Sequence, residues 1–192
     1  MNIFFNKIIL SLLLVGVSSS VLATPKSAEK HQVFNVMKKY AEAVSCGHTF
    51  DDTGDFERTT INNVYLISND SDTGNTIYFV LWGGDIGCNI GSATTSYYMS
   101  EVSRYSKSRP FLVQSEYAFG DDININFRFI QSVKQIKGDQ FEIISWDHAD
   151  EKYGGADGGT NFPANKFKYT VTNVGDGEWK ITHQVLLEQN ND

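Results

Sequence analysis

The sequence predicts an α+β fold: an N-terminal helix packed on a curved, mostly antiparallel sheet of seven or eight strands built from hairpins. Three observations predict it. Apolar residues recur at spacings of three and four over one long stretch, residues 28–44. From residue 61 onward the chain reads with period two, or as short apolar runs bounded by turn residues. Strand and helix patterns do not alternate, which excludes parallel βαβ units.

The first 23 residues stand apart from this pattern. They carry one cation, Lys7, then an apolar run from Ile8 to Val17, then small residues ending Val21-Leu22-Ala23. That is the layout of a secretory signal peptide cleaved after Ala23. The run is shorter than the roughly 20 residues of a membrane span, so no membrane insertion is expected after cleavage. Residues 24–192 are then read as a single α+β domain, periplasmic or secreted. Without Lys7 the 16 basic residues fall to 15 against 23 acidic ones, a net charge of −8. An acidic surface is repelled by phosphate backbones, which excludes nucleic acid as a partner. The same charge steers a basic protein toward the chain.

Export also decides how the cysteines are read. Cys46 and Cys88 are the only two, and in an oxidising compartment an even number pairs. The Cys46–Cys88 disulfide closes a loop of about 43 residues, which the chain-entropy account values at roughly 4 kcal/mol. The rival reading is a nucleophilic thiol with His48 or His148 as its base.

Taken in order, Ser27 is placed as the N-cap of a helix over residues 28–44. Val33, Val36, Met37, Tyr40 and Val44 form its apolar stripe, with Lys38, Lys39 and Glu42 opposite. Gly47 reads as the C-cap, which puts Cys46 in the last turn. Residues 48–60 are acidic and read as loop. Ile61 to Ser68 alternates, turns through Asn69–Gly74, and pairs with the apolar run Ile77–Trp82, a central strand covered on both faces. Thr94 to Tyr105 is a strand rich in threonine and tyrosine, and Phe111 to Tyr117 a shorter one. Ile123 to Phe129 shows the cleanest alternation and reads as a strand running on to Ile136. A tight turn at Lys137-Gly138-Asp139 leads into Phe141–Trp146. The last hairpin alternates Phe167, Tyr169 and Val171, then Trp179, Ile181, His183, Val185 and Leu187.

Chemistry-bearing patterns are few. The turn Asn69–Gly74 fails as an EF-hand, because Val80 falls where a bidentate glutamate is required. The segment Asp147–Asn165 is rich in oxygen ligands and glycine but meets no calcium spacing, and the four histidines are scattered, so neither metal nor cofactor is expected. His148 beside Asp147 or Glu151 supplies an alternative, a small exported hydrolase with a carboxylate-oriented base, although no nucleophile is identified. There is no G-x-S-x-G elbow and no phosphate-binding glycine loop.

The segment Trp82-Gly83-Gly84-Asp85-Ile86-Gly87-Cys88 is the most distinctive in the chain. Over Phe79 to Gly91 it resembles small exported bacterial proteins of inhibitor-like or immunity-like function. The resemblance carries over no functional residue. Export, an acidic compact β-rich domain and aromatic loops without any catalytic set point to a non-enzymatic protein-binding module of the inhibitor or immunity class, one that neutralises an exported toxin or cell-wall hydrolase. Trp82, Asp85 and Tyr97 are its first candidate contacts, with Asp147, Asp150 and Tyr153 second, since aromatic side chains suit interface hot spots. A third reading is an accessory subunit of an envelope or secretion assembly that buries the aromatic strand edge.

Overall fold

A computed structural model describes residues 25–51, 57–89, 94–148 and 165–189; the expected signal peptide lies outside them. Among the described residues one α-helix, α1 (Pro25–Val44), precedes nine strands: β1 (Ser45–His48), β2 (Val64–Asn69), β3 (Thr76–Ile86), β4 (Ser96–Arg104), β5 (Leu112–Ser115), β6 (Ile130–Lys137), β7 (Gln140–Asp147), β8 (Asn165–Gly175) and β9 (Glu178–Gln189). The α+β class and the antiparallel pairing agree with the sequence. The single sheet does not. β1 through β5 form one five-stranded sheet, and β6-β7-β8-β9 form a second of four. The chain leaves the first sheet after β5 through residues 116–129, which hold turns rather than strand, and then begins a separate meander.

β3 is the common wall of both halves of the core. Its alternation sends Tyr78, Val80 and Trp82 toward α1, where they meet Val33, Met37, Ala41, Phe50 and Val102. Phe79 and Leu81 point the other way, into a cluster with Met99, Phe141, Ile143, Tyr169 and Trp179 from both sheets and Phe119 from the segment between them. The order is therefore helix, five-stranded sheet, four-stranded sheet. One edge of β3 is shared, β2 pairing its first half and β1 its second, while β4 lies along the full opposite edge. A strand buried on both faces needs the near-continuous apolar run seen in the sequence.

The helix starts earlier than its expected cap. Pro25 opens it, as suits a residue with no N–H to leave unsatisfied, so Ser27 lies inside. It ends at Val44, where the apolar stripe ends, but without the expected cap at Gly47. The Ser45 hydroxyl donates to the Ala41 carbonyl at 2.8 Å, and Ser45–His48 then pairs with the end of β3. Cys46 and Gly47 are thus in a strand, not in a helix turn and cap. The disulfide forms between Cys46 and Cys88 as expected, which removes the nucleophilic-thiol reading.

Two alternating stretches behave differently from strands at the expected phase. Ile123, Ile125 and Phe127 do pack on the core, but their backbone is loop leading into a 3-10 turn at Phe127–Phe129. Asn126 caps that turn by accepting from the Arg128 N–H at 3.2 Å, and its carbonyl accepts from the Ser145 hydroxyl at 2.6 Å. In β9, Thr170 faces His183 while the next residue, Val171, faces Ile181, so Thr182 is an inserted bulge residue. The bulge reverses the alternation. Trp179 and Ile181 point inward before it, Leu186 points inward after it, and His183 is exposed rather than at the core. No helix among the described residues is long and apolar enough to cross a membrane.

Candidate functional site: an aromatic cleft beside the disulfide turn

Two glycines let β1 and a tryptophan close over the end of β3. A Cβ on Gly84 would sit 2.6 Å from Cζ3 of Trp82, and one on Gly83 would sit 2.8 Å from Cγ2 of Thr49. Their absence lets the indole fold across its own strand and lets Thr49 reach in. The Thr49 Oγ1 accepts from the Gly83 N–H at 2.7 Å and pairs with Thr59 Oγ1 at 2.6 Å, so both buried hydroxyls are satisfied. Beyond Ile86 the chain reverses with Gly87 and Cys88 at φ of 80° and 55°. Asp85 holds this reversal: its Oδ1 accepts from the Asn89 backbone at 3.2 Å and its carbonyl accepts from the Cys88 N–H at 3.2 Å.

Trp82 is 0% exposed. It is therefore a core residue, not the displayed contact the sequence suggested. Its indole Nε1 donates to Ser100 Oγ at 2.8 Å, and that hydroxyl donates to the Glu116 carbonyl at 3.2 Å. The Tyr40 hydroxyl of α1 donates to the Glu116 carboxylate; burial, then Glu116 itself, pushes the Tyr40 hydroxyl up to about 12. Helix and sheet thus fix the residue immediately before Tyr117.

From there a tight turn, Tyr117-Ala118-Phe119-Gly120, stands out of the fold. It is closed by the Gly120 N–H on the Tyr117 carbonyl at 2.9 Å, and tied to β4 by the Ala118 N–H on the Met99 carbonyl at 2.6 Å. Gly120 takes φ 83°, where a side chain would be strained. Phe119 plunges inward, edge-on to Phe79, Phe141 and Trp179. Tyr117 is left 56% exposed. A row of ring contacts runs from Phe50 through Trp82 and Tyr98 to Tyr117, from core to surface.

On one side of this turn lies a cleft of about 320 Å³, bounded by Tyr97, Tyr98, Tyr117, Phe127 and Asp121. Tyr97, a sequence candidate, lines it. Its hydroxyl meets the Glu57 backbone, and burial raises it. Asp85 is half-buried and near enough to add, after burial and other neighbours, to the upward shift of the Tyr98 hydroxyl. Asp147 is not among the lining residues. It ends β7, and its Oδ1 accepts from the His148 backbone N–H at 2.8 Å, a local cap rather than a bond to the imidazole. Asp150 and Tyr153, like Glu151, lie outside the described residues. The sequence reading missed Tyr98, Tyr117 and Asp121. The one available signal was Tyr117-Ala118-Phe119-Gly120-Asp121-Asp122, two aromatics running into a turn.

On the other side of the turn is a second cavity of about 280 Å³, whose lining includes Glu101, Asp122, Glu178 and again Tyr117. Burial pushes the Glu101 carboxyl above its ordinary 4.5, offset in part by a hydrogen bond with Ser103. With the folded value raised, the unfolded chain gives up this proton first. Ionisation then costs stability as pH rises from 4.5 through the folded value, and costs nothing in acid, where both states keep the proton. Glu101→Gln is accordingly expected to raise the urea midpoint at pH 7 and leave it unchanged near pH 3. Equal midpoint shifts at the two pH values would refute this.

Comparison with known proteins finds no matching family model, and no significant match among curated proteins or solved structures.

Proposed function

We propose that the chain is a periplasmic or secreted protein-binding module of the inhibitor or immunity class, neutralising an exported toxin or cell-wall hydrolase through the face centred on Tyr117. The observation that carries this reading is Tyr117 itself. A large aromatic, 56% exposed, is presented on a turn anchored by Phe119 and by two backbone hydrogen bonds. An exposed tyrosine on an anchored turn beside a cleft is the kind of side chain that interface hot spots use. The disulfide fits an oxidising compartment. The net charge of −8 without the expected signal peptide favours a basic partner.

The test is a pull-down from envelope extract at physiological salt with wild type beside Tyr117→Ala. The wild type is expected to retain a discrete basic protein, and the variant to bind it more weakly by about 2 kcal/mol, roughly thirtyfold. Capture of no protein by the wild type sinks the reading. Undiminished capture by the variant moves the interface away from this face.

A further inference from the structure

The Cys46–Cys88 bond lies at the surface rather than in the core. Both half-cystines are exposed, and so are their neighbours Gly47, Gly87 and Asn89. The backbone on either side is uncrowded too. Beyond the chain neighbours, a Cβ on Gly47 would meet nothing within 4 Å, and one on Gly87 only Asn89 Nδ2 at 3.9 Å. A small thiol therefore reaches the sulfurs without any opening of the fold, and such access is what thiol–disulfide exchange requires. Cys88 also sits at φ 55°, a left-handed conformation that a residue with a Cβ adopts at a cost, so the bond is carried on strained backbone. The ends it joins are held independently by backbone pairing. Ser45 pairs with Ile86 and His48 with Gly84. The Gly87 N–H donates to the Val44 carbonyl and the Thr49 N–H to the Gly83 carbonyl, each at 2.9 Å. These contacts flank Cys46 on both sides, so reduction leaves the two thiols side by side.

We infer that the Cys46–Cys88 bond is a reversible modification site, opened in the folded protein by a dithiol and re-formed by a disulfide oxidant. An incoming thiolate attacks one of the two sulfurs. Its new S–S bond forms as the Cys46–Cys88 bond breaks, and the electron pair of the broken bond leaves on the other sulfur, which takes a proton from water. The second sulfur of the dithiol then displaces the first cysteine in the same way. The donor departs as its own disulfide, and the protein has gained two electrons and two protons. What changes is stability rather than shape. The unfolded chain is no longer tied across the 42 residues between the cysteines. For a loop of that size the ratio of unfolded to folded chain rises roughly a thousandfold. The bond thus ties the lifetime of the chain to the thiol content of its surroundings, because proteolysis follows the unfolded population. This inference does not rest on the binding reading: neither Tyr117 nor the cavities beside it take part.

The test treats the intact protein with dithiothreitol in non-denaturing buffer, quenches aliquots with iodoacetamide, and counts the labels by mass. A second series runs in concentrated urea. Both cysteines are expected to label in the native protein at a rate within about tenfold of that in urea, rising in proportion to the thiolate concentration. The amide NMR spectrum is expected to stay native except beside Cys46 and Cys88, and oxidised glutathione to restore the bond in an unquenched sample. The urea midpoint of the reduced protein is expected to fall, as a roughly thousandfold larger unfolded population requires. Labelling in urea alone, or a native rate that stops rising with dithiothreitol because unfolding limits it, overturns the inference. So does loss of the native spectrum on reduction, failure of the bond to re-form, or an unchanged midpoint in the reduced protein.

Discussion

Replacing Trp82 by alanine is expected to cost about 3–5 kcal/mol, the range for emptying a buried large aromatic site, out of the 5–15 kcal/mol that holds a domain together. The local geometry argues for the upper half. The indole is fully buried and contacts Tyr40, Phe50 and Tyr98, which belong to the helix, the turn after β1 and β4. Gly84 has been left without a side chain to receive it, so no neighbour is placed to refill the space. Urea unfolding followed by far-UV circular dichroism reads the loss, since Trp146 and Trp179 complicate fluorescence. Trp82→Phe separates bulk from bonding. It keeps most of the ring contacts but removes the N–H that donates to Ser100, for which about 0.5–1.5 kcal/mol is expected. An alanine variant losing less than about 1 kcal/mol would mean that the site collapses freely and that Trp82 is not the keystone argued above.

The two variants also probe the site. Ser100 passes the hydrogen bond from Trp82 to the carbonyl of Glu116, one residue before the displayed Tyr117. Loosening Trp82 therefore loosens the turn that divides the two cavities. If a partner binds at Tyr117 as proposed, Trp82→Ala is expected to weaken that binding by way of position, since Trp82 itself is fully buried.

How much of this was legible beforehand depends on what the pattern measures. Period-two alternation reports which side chains face the core, and it did so faithfully for Ile123, Ile125 and Phe127. It does not report whether the backbone beside them is paired, so a loop with an inward-facing rhythm reads as a strand. For β9 the rhythm itself misled, because one bulge residue, Thr182, exchanges the faces and no composition signal marks it. The continuous run Ile77–Trp82 was read correctly as a two-sided central strand, since a helix and a second sheet both demand apolar residues there. Its last residue was the trap. A tryptophan before two glycines looks displayed, when the glycines exist to bury it. The cleft was legible only through Tyr97. Its walls beyond β4 come from Tyr117 to Phe127, well separated in sequence, brought beside β4 by a turn whose place depends on Met99 and Phe119.

Removing the disulfide is expected to act on the other side of the folding equilibrium. The bonded residues are 42 apart in sequence, and the chain-entropy account gives roughly 4 kcal/mol for a loop of that size. Both cysteines are exposed, so replacing them with alanine opens no core cavity. β1 also keeps its pairing to β3, and Asp85 keeps its hydrogen bonds within the turn. The loss should therefore arise mainly in the unfolded chain, which gains freedom. A Cys46→Ala, Cys88→Ala double variant is expected to lose up to about 4 kcal/mol while its circular dichroism and the amide shifts of the Tyr117–Gly120 turn stay native. The denaturant slope gives the distinguishing sign. An unlinked unfolded chain exposes more surface, so the slope should rise in the double variant and stay constant in Trp82→Ala. If the slope is unchanged and the turn amides move, the disulfide holds the native end of β3 in shape, and the entropic account is wrong for this chain.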